Sequence, residues 1–285
     1  MTSHVATLLV ACQDRKGLVA SLAQVLYGHG ANILDSDQHT DPVAGMFFQR
    51  LRFDLASLTT DRVSLEQGIR EVGERMQMDW KLAYGNQVRR VAIFVSKQEH
   101  CLYDLLIRHR AGELACEIAC VISNHAEAGP IAQHFGVPFH HLPVTAETRD
   151  AQEAAAIALI ETGKIDLIVL ARYMQILSPA FVARYPSRII NIHHSFLPAF
   201  VGANPYKQAY EKGVKLIGAT SHYVTAELDQ GPIIEQATIR CSHRDSVEDL
   251  VRKGRDLEKR ALAQAVRFHL QDRILLYAGK TVVFD

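Results

Sequence analysis

Between residues 89 and 194 the chain repeats one pattern, in which short, almost unbroken apolar runs alternate with segments of helical periodicity. The runs are "RRVAIFVSK" (89–97), "ACEIACVISN", "IDLIVLAR" and "SRIINIHH", with a shorter one at "PFHHLPV". Between them lie "HCLYDLLIRHRAGEL", "AGPIAQHFGV", "RDAQEAAAIALIETGK" and "SPAFVARYP". A strand that is apolar on both faces must be covered on both faces, and parallel strands need a crossover helix between them. The pattern therefore predicts an α/β domain built on a mostly parallel sheet.

The first 85 residues follow a different plan. "VATLLVAC" reads as a strand, and Leu18, Leu22, Val25 and Leu26 then fall on one helical face that Gly28 and Gly30 end. "ANILDSDQHT" and "GMFFQRLRFDL" read as strands joined by a turn at Asp41–Pro42. A second helix carries Leu65, Ile69, Val72 and Met76, and "DWKLAYG" closes the unit. The order β-α-β-β-α-β is ferredoxin-like. With 285 residues the chain has room for two cores, and the change of pattern near Gly85–Gln87 sets expected domains at 1–86 and 87–285. The second includes a long amphipathic helix, "SVEDLVRKGRDLEKRALAQAVRFHLQ", and a closing hairpin turning at Ala278–Gly279.

Composition narrows the function classes. Lys and Arg total 31 against 31 Asp and Glu, with no basic run, which argues against nucleic acid or an anionic membrane as partner. No window of about 18 apolar residues suits a membrane span, and the N-terminus does not read as a signal peptide. The five cysteines are odd in number and irregularly spaced, without C-x-x-C, as expected of a reduced, cytoplasmic protein. "GHGANI" lacks the third glycine of a dinucleotide fingerprint and follows a helix, and no Walker A, H-E-x-x-H or G-x-S-x-G is present. After the first strand of the second domain, "SKQEH" offers bulk and negative charge where a phosphate cradle needs small residues.

The segment "NIHHSFLP" (191–198) concentrates chemistry at a strand end. Alternation along a strand points Asn191 and His193 one way and His194 the other, and in open α/β sheets the carboxyl ends of strands form the ligand crevice. An amide and an imidazole side by side there can both reach one substrate oxygen. Adjacent strand residues are poorly placed to chelate one ion, so no metal is expected. A second polar segment, "GATSHYVTAELDQGPII", places Asp229 on a loop between two strands, from which its carboxylate can face His193. The bland readings are a hydrogen-bonded strand-end histidine and a turn aspartate.

"NIHHSFLPAFVGANPY" and "GATSHYVTAELDQGPII" together resemble the formyltetrahydrofolate-dependent formyltransferase/hydrolase superfamily, over roughly residues 88–280. The resemblance implies a Rossmann-like domain with Asn191, His193 and Asp229 as the catalytic trio. It puts a folate pocket at "LARYM", with Leu170, Arg172, Tyr173, Met174, Leu177, Gly202 and Thr225 as candidate contacts. The "SKQEH" loop and His194 after His193 resemble the deformylase branch, as does the N-terminal unit, where "DRKGLVASLAQVLYGHGANILD" is similar to an ACT domain. By that analogy a small effector such as an amino acid would meet Asp14, Gly17, Leu18, Asn32 and Ile33, and the chain would form a homodimer or homotetramer.

What the resemblance implies is hydrolysis of 10-formyltetrahydrofolate to tetrahydrofolate and formate, without a further cofactor, in one-carbon metabolism and purine biosynthesis. The alternatives are formyl transfer to an amine such as a ribonucleotide, and a regulatory protein whose second domain binds folate without turnover.

Overall fold

The computed structural model describes residues 4–198 and 205–285. The chain divides into two compact units. The first contains β1 (Val5–Gln13), α1 (Leu18–Gly28), β2 (Asn32–Asp41), β3 (Met46–Asp54), α2 (Arg62–Met76) and β4 (Asp79–Tyr84). Its strands lie in the order β2-β3-β1-β4, every pair antiparallel, which is the expected ferredoxin-like arrangement. Period-2 alternation sends Leu8, Val10, Leu51 and Phe53 to one face, where Leu22 and Leu26 of α1 and Leu65 and Ile69 of α2 cover them. The Asp61 carboxylate caps α2 by accepting from the Ser64 backbone N–H at 2.7 Å, which satisfies one of the donors a helix start leaves open.

The second unit runs through β5 (Arg89–Val95), α3 (His100–Arg110), β6 (Cys116–Ser123), α4 (Gly129–His134), β7 (Phe139–His141) and α5 (Arg149–Thr162). It continues with β8 (Leu167–Leu170), α6 (Pro179–Arg184), β9 (Ile189–His193), α7 (Pro205–Glu211), β10 (Leu216–Tyr223), β11 (Ile233–Arg240) and α8 (Val247–Leu270). The sheet order is β11-β10-β9-β8-β5-β6-β7. β5 to β9 pair in parallel, while β10 and β11 are antiparallel additions at one edge. From β5 the chain winds outward to β7 and then returns to β8 on the other side of β5. That reversal is a topological switch point, and ligand crevices form outside the carboxyl ends of the strands there. Phe94, Ile122, Ile168 and Leu170 pack beneath α5 and α6 through Ala156, Ile160 and Phe181. α8 packs on α3 and against β9, β10 and β11.

β12 (Ile274–Tyr277) and β13 (Lys280–Val283) form a two-stranded ribbon. Ala278 (φ 47°) and Gly279 (φ 76°) both have positive φ, as a tight hairpin turn requires. The sequence pattern assigned this tail to the second domain. Gln271–Tyr277 and Val282–Asp285 instead belong to the first unit, because Leu275, Tyr277, Val282 and Phe284 supply apolar cover for Leu9, Met46 and Phe48 on the sheet face the helices leave bare. Arg50 of β3, 2% exposed, ties that tail down by donating to the carbonyls of Asp272 (3.0 Å) and Gln271 (3.3 Å) and pairing with Asp35 at 3.0 Å.

Candidate active site

β9 ends at His193, so the chain leaves the sheet at the carboxyl edge of the switch point. The following "SFLP" segment is pinned by its neighbour β10. The Thr220 hydroxyl donates to the Ser195 carbonyl at 2.9 Å and accepts from the Leu197 N–H at 3.1 Å. Gln236 of β11 donates to the Leu197 carbonyl, also at 3.1 Å. The end of β9 is thus fixed by buried polar bonds.

Asp229 arrives on the loop joining β10 to β11. Two features set that loop. A Cβ at Gly231 would run into the Tyr223 carbonyl oxygen, so only glycine lets the strands close there, and Asp229 itself adopts φ 56°. A left-handed aspartate is tolerated but uncommon, and such outliers concentrate at functional positions. The pairing of β10 with β11 also slips at Ser221/His222, the kind of bulge that re-aims a side chain.

These devices bring four side chains together. The Asp229 Oδ2 lies 3.1 Å from His193 Nδ1, and its Oδ1 lies 3.6 Å from His222 Nε2. Asn191 Nδ2 is 3.2 Å from that same His222 Nε2. The His222 Nδ1–H donates to the Tyr223 carbonyl at 2.9 Å, so its Nε2 accepts from Asn191 in the neutral ring and donates towards Asp229 when protonated. The hydrogen bonds from His193 and His222 hold the Asp229 carboxyl well below the usual carboxylate range, against the opposing effect of burial. His193 Nε2 is buried without a hydrogen-bond partner.

Asn191, His193, His222 and Asp229 all line a cavity of about 600 Å³. Leu170, Arg172, Tyr173, Met174, Leu177 and Thr225 line it too, so six of the seven expected pocket residues meet in one place; Gly202 lies outside the described residues. Ser96, at the end of β5, anchors this wall. Its hydroxyl accepts from the Met174 N–H at 3.0 Å, and its own N–H donates to the Arg172 carbonyl at 3.3 Å. Tyr173 packs edge-on against Phe94, with centroids 5.3 Å apart, and burial pushes its phenol up to about 12. Met174 and Ile176 are largely exposed, giving the cavity an apolar mouth suited to a flat heterocycle.

Two expectations need correction. Strand alternation placed His194 on the face away from His193, but β9 stops at His193 and alternation no longer applies. The two rings lie 5.2 Å apart, and His194 lines the same cavity. The five proposed effector contacts are also not gathered within one chain. β1 and β2 run parallel on either side of β3, so Asp14, Gly17 and Leu18 follow the end of β1 while Asn32 and Ile33 begin β2 at the opposite end of the sheet. Nine residues at roughly 3.3 Å each put Asp14 about 30 Å from Asn32 along the strands. Nothing in the pattern of "GATSHYV" singles out His222 as a site residue. Its signal is the register that sets it directly across from Asn191, and a sequence alone does not supply register.

Comparison with known proteins shows the family. The family model described as Formyl transferase matches residues 89–266, and that described as ACT domain matches residues 6–74. A curated formyltetrahydrofolate deformylase from Synechocystis sp. is 54% identical over 284 residues, covering 100% of both chains. A solved formyltetrahydrofolate deformylase from Pseudomonas syringae pv. tomato superposes with a TM-score of 0.96 at 46% identity, covering 99% of this chain and 95% of that one. A glycinamide ribonucleotide transformylase from Symbiobacterium toebii matches less, with a TM-score of 0.67 at 34% identity over 72% of this chain and 98% of its own. The chain belongs to the formyltetrahydrofolate deformylase family.

Proposed function

We propose that this chain hydrolyses 10-formyltetrahydrofolate to tetrahydrofolate and formate. The observation that carries the reading is the Asp229 carboxylate set 3.1 Å from His193 Nδ1, with Asn191 beside it, at the floor of an apolar-mouthed cavity. The flat heterocycle enters past Met174 and Ile176, and the formyl group comes to rest against Asn191 and His193.

Water adds to the formyl carbon, and the carbonyl oxygen becomes an oxyanion. Asp229 holds the His193 ring through Nδ1, which turns Nε2 towards the oxyanion as one donor, while the Asn191 amide supplies a second. Removing one such donor commonly costs about 10²–10³ in rate. Asp229 orients the water and takes its proton as the C–O bond forms. The C–N10 bond then breaks and N10 receives that proton, giving formic acid, which ionises, and tetrahydrofolate. The low proton affinity of Asp229 fits a group through which a proton passes rather than one on which it rests. These steps use only groups of the chain, the substrate and water. Among the described residues His100, Cys101 and Glu258 lie close enough to share a metal ion, but Arg172 sits 3.5 Å from the same Glu258 carboxylate and opposes a cation there.

Five unpaired, buried cysteines suit a reducing compartment such as the cytoplasm. The ACT unit offers an amino-acid-sized effector a binding surface once chains associate, since the residues at the two ends of its sheet do not meet within one chain. A dimer or tetramer follows from that reading.

The test is formate release from 10-formyltetrahydrofolate with no amine present. Stoichiometric formate and tetrahydrofolate are expected. Release that requires glycinamide ribonucleotide would sink the hydrolytic reading.

A further inference from the structure

A buried polar cluster lies beside the cavity, and the chemistry above does not use it. At its centre is Glu258 on α8, 1% exposed, within a stripe otherwise formed by Leu257, Ala261 and Leu262. A carboxylate buried in such a stripe is costly unless it is fully partnered. Here His100, at the start of α3, lies 2.7 Å away through Nε2; the Tyr206 hydroxyl of α7 donates at 2.7 Å; and Arg172 Nε, on the turn after β8, lies 3.5 Å away. Burial alone would raise the Glu258 carboxyl, but the His100 hydrogen bond, the Arg172 charge and the Tyr206 hydroxyl outweigh it and hold it down. The residue is therefore an anion tying four elements together.

Two local features show that this cluster is built rather than incidental. Tyr206 crosses α8 at Gly254, where a Cβ would collide with the phenol ring. Arg172 reaches Glu258 from a backbone at φ 62°, a conformation that costs a non-glycine residue free energy.

The cluster backs His194. The Tyr206 ring centroid lies 6.3 Å from that of His194. Arg172 and His194 line the catalytic cavity, and His194 and Tyr206 line a separate space of only about 20 Å³ behind it. A space of that size holds about one water and no amine-bearing substrate.

We propose that Glu258, with His100, Tyr206 and Arg172, fixes a wall at His194 that fills the space an amine acceptor needs, leaving water as the nucleophile that reaches the formyl carbon. The inference rests on the hydrolytic reading above and names what makes the site hydrolytic. Both competing reactions balance without a co-reactant. Water forms a C–O bond, breaks C–N10 and returns its proton to N10. An amine would form a new C–N bond, break the same C–N10 bond and pass one N–H proton to N10. The two share everything except the volume the nucleophile requires.

The experiment presents the full chain with 10-formyltetrahydrofolate and a small primary amine, glycinamide, and measures formylated glycinamide per formate released. The unaltered chain should give no formylated product above the enzyme-free background. Tyr206→Ala removes the ring behind His194 and should raise the ratio at least about tenfold, since even one methylene of pocket volume changes selectivity by roughly 10–200-fold. A folded Tyr206→Ala enzyme with an unchanged ratio overturns the proposal. If that variant does not fold, His100→Ala, at the more accessible margin of the cluster, carries the same expectation and the same refutation. An unaltered enzyme that formylates glycinamide as readily as it releases formate also overturns the wall. An enzyme that releases no formate without an amine overturns the hydrolytic reading instead.

Discussion

Replacing Asp229 with asparagine separates charge from shape at the centre of the site. The amide keeps the size of the carboxylate, and its Oδ1 still accepts from His193 Nδ1 across 3.1 Å. Asparagine also tolerates the φ of 56° that the loop imposes, because its short polar side chain visits the left-handed region readily. What disappears is the negative charge that faces two imidazoles and the oxygen through which the water proton passes. A positioned proton-transfer group contributes about 10²–10⁴ in rate, or about 2.7–5.4 kcal/mol of barrier at 1.36 kcal/mol per tenfold. The assay is single-turnover formate production, quenched and quantified against time, with folate affinity measured separately. The account expects kcat to fall by that range with little change in affinity, since the apolar mouth at Met174 and Ile176 is untouched. A folded Asp229→Asn enzyme that loses less than about tenfold refutes the role given to Asp229.

Gly231→Ala forces a Cβ against the Tyr223 carbonyl and should displace the Asp229 loop, lowering kcat/KM by at least about tenfold while circular dichroism stays close to that of the unaltered chain; unchanged kinetics would show that the loop closes another way. Burial, with the Arg172 charge, pushes the His194 imidazole down to about 4. The unfolded chain therefore binds more protons than the native one between about pH 6.5 and 4, and stability is lost as pH falls through that window. His194→Gln should flatten the dependence of unfolding free energy on pH there, and an unflattened curve contradicts the burial argument. Arg50→Met strips the cation from Asp35 and Asp37 and frees the carbonyls of Gln271 and Asp272. Denaturant unfolding should show a loss of about 3 kcal/mol, near the low end for breaking a buried pair, because both carboxylates are themselves more than a third exposed; a loss under about 1 kcal/mol would mean that the Arg50 contacts are not what holds the tail.

Much of this architecture was legible because its signals are periodic. Leu18, Leu22 and Leu26 mark the buried face of α1, and the apolar runs around Phe94, Ile122 and Ile168 mark strands covered on both sides. Asn191, His193 and Asp229 are legible as a trio through their motifs, and all three line one cavity. What sequence could not supply was register and the exact point at which a strand stops. The pairing of Asn191 with His222 depends on how β10 lies against β9. Alternation fails for His194 because the strand stops one residue before it. The packing of the C-terminal ribbon is hidden for a similar reason. Its apolar residues show that it must be covered, not by which sheet, and the bare face of β1 and β3 at Leu9 and Phe48 supplied the answer. Glu258 was concealed by position. One acid among several in a long amphipathic helix reads as solvated, and the approach of Tyr206 across Gly254 shows that it is buried.

The central claim is that water, positioned by Asp229, is the nucleophile. Turnover of 10-formyltetrahydrofolate in ¹⁸O-labelled water, without any amine, tests it most directly. The account predicts formate carrying one solvent oxygen atom per molecule, with one tetrahydrofolate formed for each. Formate without solvent oxygen, or no formate until an amine is supplied, would contradict it.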